Sequence, residues 1–349
     1  MNEAPCQGSR MPSSDAPPAP LERANTSANT SVLPKRKPAE PPMLVLGAMN
    51  FGKRTAEPES ARIVRRALER GIRVYDTANA YNAGESERIL GRALGRDRAN
   101  VVVSTKAGIG VVQSKPEGLA PETMRAALAA SLERLGTDYV DLYYMHLPDR
   151  KTPVEESVLA MKELVASGRV RAWATSNYAS WEILEMIHVA DANGGPRPIV
   201  TQALYNALHR QLDVEYFAFA RRYAIHTTTY NALAGGLLTG RHRFEEAPEK
   251  GSRFEANRMY RGRYWTKTMF DRQAALAAVA REEGCSLVEL AYAWLASRAD
   301  VDSILVGPAD AAQLDAAFEA VGRTLSEPTR TRIDDLWREW LGTDTNYAR

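Results

Sequence analysis

The chain has 349 residues, with 45 basic and 43 acidic side chains, 44% hydrophobic and 25% charged, which excludes a collagenous or wholly disordered protein. A formal charge of +2 is too small for a nucleic-acid or acidic-membrane footprint. No apolar run approaches the ~20 residues needed to span a bilayer, so no membrane partner is expected. Cys6 and Cys285 lack metal-ligand spacing and are too few to staple a secreted scaffold, which predicts a reducing, cytoplasmic setting and no metal.

Residues 1–42 are rich in Pro, Ser, Ala and Asn and poor in large apolar groups, so they read as a disordered tail. Within it Lys35, Arg36 and Lys37, set between prolines, read as solvated charges. From Met43 onward, short β-rich runs alternate with helical stretches. Eight strands are predicted, at residues 43–49, 73–78, 101–107, 140–146, 170–176, 199–205, 225–230 and 303–307. Pro121 and Pro153 suit first helical turns, and Gly71, Gly136 and Gly168 suit helix ends. This order predicts an α/β fold, a single-domain (β/α)8 TIM barrel over residues 43–349 that ends in an added helix (PTRTRIDDLWREWLG) and a short tail. A doubly wound sheet is the rival, but the turn after the first strand, GAMNFGKR, lacks the G-x-G-x-x-G spacing. The long insertion after the seventh strand, residues 231–266, is expected to form a lid or a cofactor strap at the barrel mouth.

Ionisable groups end successive strands: Asp76 the second, Lys106 the third and His146 the fourth, with Tyr81 in the loop after the second. Each alone has an ordinary structural explanation, but a barrel assembles its site from such strand ends, and together they converge. By alternation Asp76 shares a face with Ile72 and Val74, Lys106 with Val102 and Ser104, and His146 with Leu142 and Tyr144. Asp76 should keep the Lys106 ammonium charged, and the ammonium should favour tyrosinate. At about 4 Å and an effective dielectric near ~20 that attraction is on the order of 4 kcal/mol, or up to ~3 pKa units, which would bring the Tyr81 phenol from near ~10 toward neutrality. Tyr81 could then protonate a carbonyl oxygen while a neutral His146 donates a second hydrogen bond. The remaining need is a hydride, which no side chain supplies, so a nicotinamide cofactor is implied.

Residues 43–349 resemble the aldo-keto reductases, most closely the aflatoxin aldehyde reductase and succinic semialdehyde reductase subfamily. The resemblance is carried by YDTANAYNAGESERILG, VVVSTKA, YVDLYYMHLPD with TPVEESV, ATSNYASWE, TQALYNALHRQ, NALAGGLLTGR, YRGRYW and NYAR in that order. It implies a tetrad of Asp76, Tyr81, Lys106 and His146, with Tyr81 the acid and hydride from C4 of NADPH reducing a small-molecule aldehyde or ketone. It implies that Ser176, Asn177 and Gln202 contact the carboxamide, with Tyr230 as the platform under the nicotinamide. Asn231, Leu233, Gly235, Gly236, Leu237 and Gly240 would belong to the pyrophosphate loop. Arg241 and Arg253 would meet phosphates and favour NADPH over NADH. Gly307 and Gln313 would lie by the adenine, where Ala317 replaces the usual asparagine and Gln313 and Asp315 are expected to compensate. Ala232 stands where a proline is common.

Tyr260, Arg263, Arg349 and His146 are expected at the substrate, the arginines suiting an acidic aldehyde; alternatively Tyr260, Tyr264 and Trp265 line an apolar pocket. Trp173 and Trp181 are assigned to packing. The subfamily implies a homodimer. A noncatalytic, cofactor-binding barrel of the channel β-subunit type is the alternative function. A metal-dependent barrel enzyme is disfavoured because the five histidines are not suitably paired.

Overall fold

Runs of β-branched and aromatic residues supply the strands, and the amphipathic segments between them supply helices that cover the outer face. A computed structural model describes residues 32–37, 39–112, 115–255 and 257–342. The strands are β1 (Met43–Gly47), β2 (Val74–Asp76), β3 (Val102–Ala107), the hairpin pair β4 (Val111–Val112) and β5 (Lys115–Pro116), β6 (Val140–Met145), β7 (Val170–Ser176), β8 (Val200–Leu204), β9 (His226–Tyr230) and β10 (Ser303–Val306). Eight of them close into a parallel barrel in the order β1-β2-β3-β6-β7-β8-β9-β10, with β10 returning to β1. The predicted (β/α)8 barrel is therefore present, with most strands a residue or two shorter than expected.

The helices are α1 (Glu57–Glu69), α2 (Glu85–Leu94), α3 (Pro121–Leu135), α4 (Val154–Ala166), α5 (Ser180–Ala192), α6 (Tyr216–Arg222), α7 (Arg258–Tyr264), α8 (Lys267–Glu282), α9 (Leu287–Ser297), α10 (Ala311–Gly322) and α11 (Glu327–Leu341). Their ends follow local chemistry. Pro121 starts α3, and Gly136 stops it at φ 63°, its N–H reaching the Glu133 and Leu132 carbonyls. Ser286 and Glu289 form a reciprocal cap at α9. The added helix α11 docks through Asp334, which accepts from the buried Arg210 guanidinium at 2.7 Å; that guanidinium lies 5.0 Å from the Trp294 ring and 5.6 Å from Trp337. Among the described residues no helix is long and apolar enough to cross a membrane.

The tail expected through residue 42 needs correction at its end. Leu33 is buried, Lys35 Nζ donates to Asp302 Oδ2 at 2.7 Å and to the Ile225 carbonyl at 3.0 Å, and Arg36 donates to the Arg298 and Val301 carbonyls at 3.0 and 3.1 Å. Asp302 is buried under β9 and β10 and needs donors there, which composition alone does not reveal. Residues 33–36 thus line the barrel floor, opposite the mouth.

Candidate active site

The carboxyl ends of β2, β3 and β6 bring three of the four expected groups together, and the loop after β2 brings the fourth. Lys106, fully buried, donates through Nζ to Asp76 Oδ1 and, at 2.8 Å, to the Thr77 carbonyl. The other Asp76 oxygen accepts from Ser104 Oγ at 2.7 Å and from Gln202 Nε2 at 3.1 Å. Ser104 sits directly across from Asp76 in the strand register. Lys106 Nζ lies between two phenol rings, 5.2 Å from the Tyr81 centroid and 5.5 Å from that of Tyr144. The Tyr81 and His146 rings meet edge to face at 5.7 Å.

Tyr81 begins a 3-10 turn, Tyr81–Gly84, in which Asn82 and Ala83 take positive φ of 51° and 54°. Asn82 Nδ2 secures that turn by donating to the Met49 and Phe51 carbonyls at 3.1 and 2.6 Å. Asn177, Asn231 and Ala234, all just beyond strand ends at the mouth, also have positive φ. Such costly conformations persist only where the surroundings over-determine them, and here they gather around one opening.

The electrostatics correct the expected acidity of Tyr81. Burial, and next the Asp76 carboxylate, push this phenol up from its ordinary value rather than down toward neutrality. The reason is that the ammonium does not act alone: Asp76 is ion-paired with it, so the field at Tyr81 is that of a pair, and desolvation then dominates. Burial lowers the Lys106 pKa, opposed by Asp76. Burial and Lys106 hold His146 well below the usual imidazole range, so the expected neutral ring stands. Its Nδ1 is buried with no hydrogen-bond partner among the described residues.

Next to this cluster, the amide-bearing residues form one corner. Ser176 Oγ donates to the Gln202 carbonyl at 2.9 Å; Asn177 Nδ2 donates to Ser176 Oγ and to the His146 carbonyl, each at 3.0 Å. Tyr230 OH donates to Asn177 Oδ1 at 2.6 Å. Burial pushes the Tyr230 phenol up to about 12, with Arg263 nearby opposing.

The insertion after β9 is a strap from β9 to the loop after β1. It starts as a 3-10 turn, Ala234–Thr239, in which Gly235 has φ 71° and lies so close to Tyr260 that an added Cβ would be 2.7 Å from Cδ1. Asn231 Oδ1 accepts from the Gly235 N–H at 2.9 Å, and Gly236 and Gly240 also take positive φ. Arg253 donates to the Tyr260 hydroxyl and to Asn50 Oδ1, each at 3.1 Å, beside Gly307. Leu233 is partly buried, whereas Leu237 is packed in the apolar core, so only its backbone can face a ligand.

Several other expectations fare differently. Arg241 is exposed, 3.9 Å from Glu249. Gln313 is exposed and caps α10, its amide joined to Asp310 and to the Ala309 N–H. Asp315 is not available to compensate for Ala317, because it is bound by Arg66 and Arg70 at 2.9 Å each. Tyr264 is fully buried and Trp265 packs on His242, Phe254 and Phe270, so neither is a free wall of an apolar pocket. Trp173 is buried as expected, but Trp181 is 62% exposed on the first turn of α5, with the Arg150 guanidinium 6.0 Å from its ring. Arg349 lies outside the described residues. Three residues at this site escaped the sequence reading: Asn50, Tyr144 and Ser104. Ser104 and Tyr144 carried a signal, the strand faces they share with Lys106 and His146; Asn50 carried none.

Comparison with known proteins adds independent findings. The family model described as "Aldo/keto reductase family" matches residues 43–338. The human protein named "Aflatoxin B1 aldehyde reductase member 2" is 36% identical over 323 residues, covering 87% of this chain and 89% of the relative. A protein of Arabidopsis thaliana named "Probable voltage-gated potassium channel subunit beta" is 33% identical over 279 residues, covering 78% of this chain and 85% of the relative. Among solved structures, a glycerol dehydrogenase from Gluconobacter oxydans superposes with a TM-score of 0.73 at 25% identity, over 90% of this chain and 98% of that one.

Proposed function

The chain belongs to the aldo/keto reductase family, and on that premise we propose that it is an NADPH-dependent reductase of aldehydes or reactive ketones in which Tyr81 is the proton donor. The observation that carries this reading is the joint approach of four groups: the Lys106 ammonium paired with Asp76, 5.2 Å from the Tyr81 ring, with that ring 5.7 Å from His146.

The chain fits a dinucleotide at this mouth. Gln202 uses its Nε2 on Asp76 and, among the described residues, its carbonyl oxygen takes no donor, which leaves an acceptor for an amide N–H. Ser176, Asn177 and Gln202 would hold the carboxamide, Tyr230 the nicotinamide face, and the Gly235–Gly236 turn the pyrophosphate. Arg253 is the guanidinium for a ribose phosphate, which favours NADPH. When bound, the reduced nicotinamide supplies the hydride that forms the new C–H bond.

The chain's own groups handle the proton. Because its pKa is raised, Tyr81 is protonated throughout the neutral range and donates to the carbonyl oxygen as negative charge develops there. His146 Nδ1 has no acceptor within reach among the described residues, so the ring proton belongs on Nε2, where it can donate to the same oxygen. Asp76 holds Lys106 in place, and Lys106 stabilises the tyrosinate left behind until solvent reprotonates it. Arg263, beside Tyr230, suits a substrate carboxylate, and Arg349 extends that proposal. The cytoplasmic setting rests on the cysteine content of the sequence and the homodimer on the subfamily resemblance.

A second reading, a cofactor-binding partner protein without turnover, is favoured by the likeness to the plant channel subunit. The test is oxidation of NADPH at 340 nm with a panel of aldehydes and ketones, for the native chain and Tyr81→Phe. Substrate-dependent turnover that falls by about 10² to 10⁴ in the variant, with NADPH affinity unchanged within about twofold, is expected. NADPH binding without turnover on any substrate supports the second reading; turnover retained in Tyr81→Phe removes Tyr81 from its role.

A further inference from the structure

The loop that carries Tyr81 leaves the barrel at the end of β2 and returns to it at the start of α2, and side chains close its base. Ser86 Oγ donates to the Ala48 carbonyl at 2.7 Å. With that one hydrogen used, Thr77 Oγ1, 2.8 Å away, must donate to Ser86 Oγ. Thr77 and Ser86 are 9 positions apart, and Tyr81 lies between them. The same Thr77 offers its carbonyl to Lys106 Nζ at 2.8 Å, so the residue that closes the loop also holds the ammonium. The next residue of α2 makes a second closure. Glu87 is fully buried, and its Oε1 accepts from Thr105 Oγ1 at 2.5 Å. Thr105 precedes Lys106 on β3, and by alternation its side chain leaves the opposite face of the strand.

A buried carboxylate is costly without a counterion. Arg134 of α3 supplies one, donating through Nε to Glu87 Oε2 at 2.5 Å and through Nη2 to Ser131 Oγ at 3.2 Å. To reach Glu87, the Arg134 stem passes Gly84, the last residue of the Tyr81 turn. Gly84 has φ 84°, and a Cβ added there would be 2.5 Å from Arg134 Cδ, so turn and ion pair fit together through a glycine. Apolar packing is non-directional and holds a helix without fixing its register. Two directed bonds from consecutive residues, Ser86 to the end of β2 and Glu87 to β3, fix both where α2 starts and how it is rotated. They land on the two residues that bracket Lys106: Thr77, which accepts from its Nζ, and Thr105, its neighbour in the chain. The Tyr81 ring thus comes to lie 5.2 Å from Lys106 Nζ through bonds that do not involve the phenol. We propose that Ser86 and Glu87, with Thr77, Thr105 and Arg134 as their partners, are positioning residues that fix Tyr81 against Lys106 and His146. This rests on the reading of Tyr81 as proton donor given above.

The test uses the full chain, saturating NADPH and the carbonyl that the native chain reduces fastest, followed in a single turnover so that product release does not enter. Thr105→Val keeps the side-chain shape and removes the hydroxyl; Thr105→Ser restores it. Thr105→Val should slow the single turnover by about tenfold, the scale of one lost oriented hydrogen bond, and leave NADPH affinity within about twofold. Its solvent deuterium isotope effect should exceed the native one, because the displaced group is the proton donor. Thr105→Ser should return rate and isotope effect to the native values. Ser86→Ala should give the same selective loss and serves if Thr105→Val does not fold. A native rate in both Thr105→Val and Ser86→Ala overturns the positioning role while the functional reading stands. Equal losses of rate and NADPH affinity also overturn it, since that is what general loss of structure produces. A native chain that reduces no carbonyl overturns both.

Discussion

The pH dependence of turnover separates two accounts of the phenol proposed as proton donor. Had Lys106 alone governed Tyr81 and lowered its pKa by ~3 units to near ~7, about half would be protonated at pH ~7 and only about 1% at pH ~9, so reduction would fall by about 50-fold between them. In the structure, burial and the Asp76 carboxylate instead raise the phenol above its ordinary value. Even at an ordinary ~10 a tyrosine is about 90% protonated at pH ~9, and any upward shift increases that fraction. Burial lowers the Lys106 pKa and Asp76 opposes it; loss of its proton would raise Tyr81 further but would also remove the charge that stabilises the new tyrosinate, so the flat profile requires Asp76 to keep the ammonium protonated through pH ~9. His146, held well below its usual range, is neutral above pH ~6.5. The expected result is a kcat/KM for reduction flat within about twofold from pH ~6.5 to ~9, measured by NADPH oxidation at constant ionic strength. A decline approaching tenfold per pH unit from neutrality upward would show that the phenol ionises there and would refute the argument from burial.

Two further outcomes follow from the same contacts. Ser104→Ala removes one of the two donors on Asp76 Oδ2, and Gln202 remains at 3.1 Å, so kcat should fall by about tenfold with NADPH affinity little changed, and Ser104→Thr should restore it. A kcat within about twofold of the native value in Ser104→Ala would reduce Ser104 to a space-filling role. Arg253→Gln should weaken NADPH by about 10 to 100-fold while leaving NADH within about threefold, because only the former carries a ribose phosphate for the guanidinium. Equal effects on the two cofactors, read by titration, would assign Arg253 to holding Tyr260 and Asn50 instead.

The barrel was legible because its signals are local. β-branched runs, Pro121 at a helix start and Gly136 at a helix stop each act within a few residues, and the structure uses them as the pattern implies. The candidate cluster was legible for a related reason: the end of a parallel strand is a fixed place in a barrel, so Asp76, Lys106 and His146 could be brought together by counting. What escaped depends on partners far along the chain. Lys35 reads as a solvated charge until the buried carboxylate of Asp302, 267 positions away, is seen to accept from it. Asp315 reads as a free acceptor until Arg66 and Arg70 on α1 are seen to occupy it. Trp181 reads as core until α5 turns it outward.

The misjudged acidity of Tyr81 has a different origin, since every residue in that argument was correctly identified. A Coulomb estimate between two named groups assumes that the rest of the site is neutral and wet. Here the ammonium is bound to Asp76 and to the Thr77 carbonyl, so its field is largely cancelled, while burial acts on the phenol without a counterpart. The two effects have opposite signs, and desolvation is the larger. The consequence is chemical as well as numerical. A phenol kept protonated is a donor at every pH where the protein works, so its contribution comes from position and from the charge that forms during the reaction, not from a proton that is loosely held beforehand. On the proposed mechanism, Asp76 and Lys106 would then serve the step chiefly after the proton has left, when the new tyrosinate would meet an ammonium already in place.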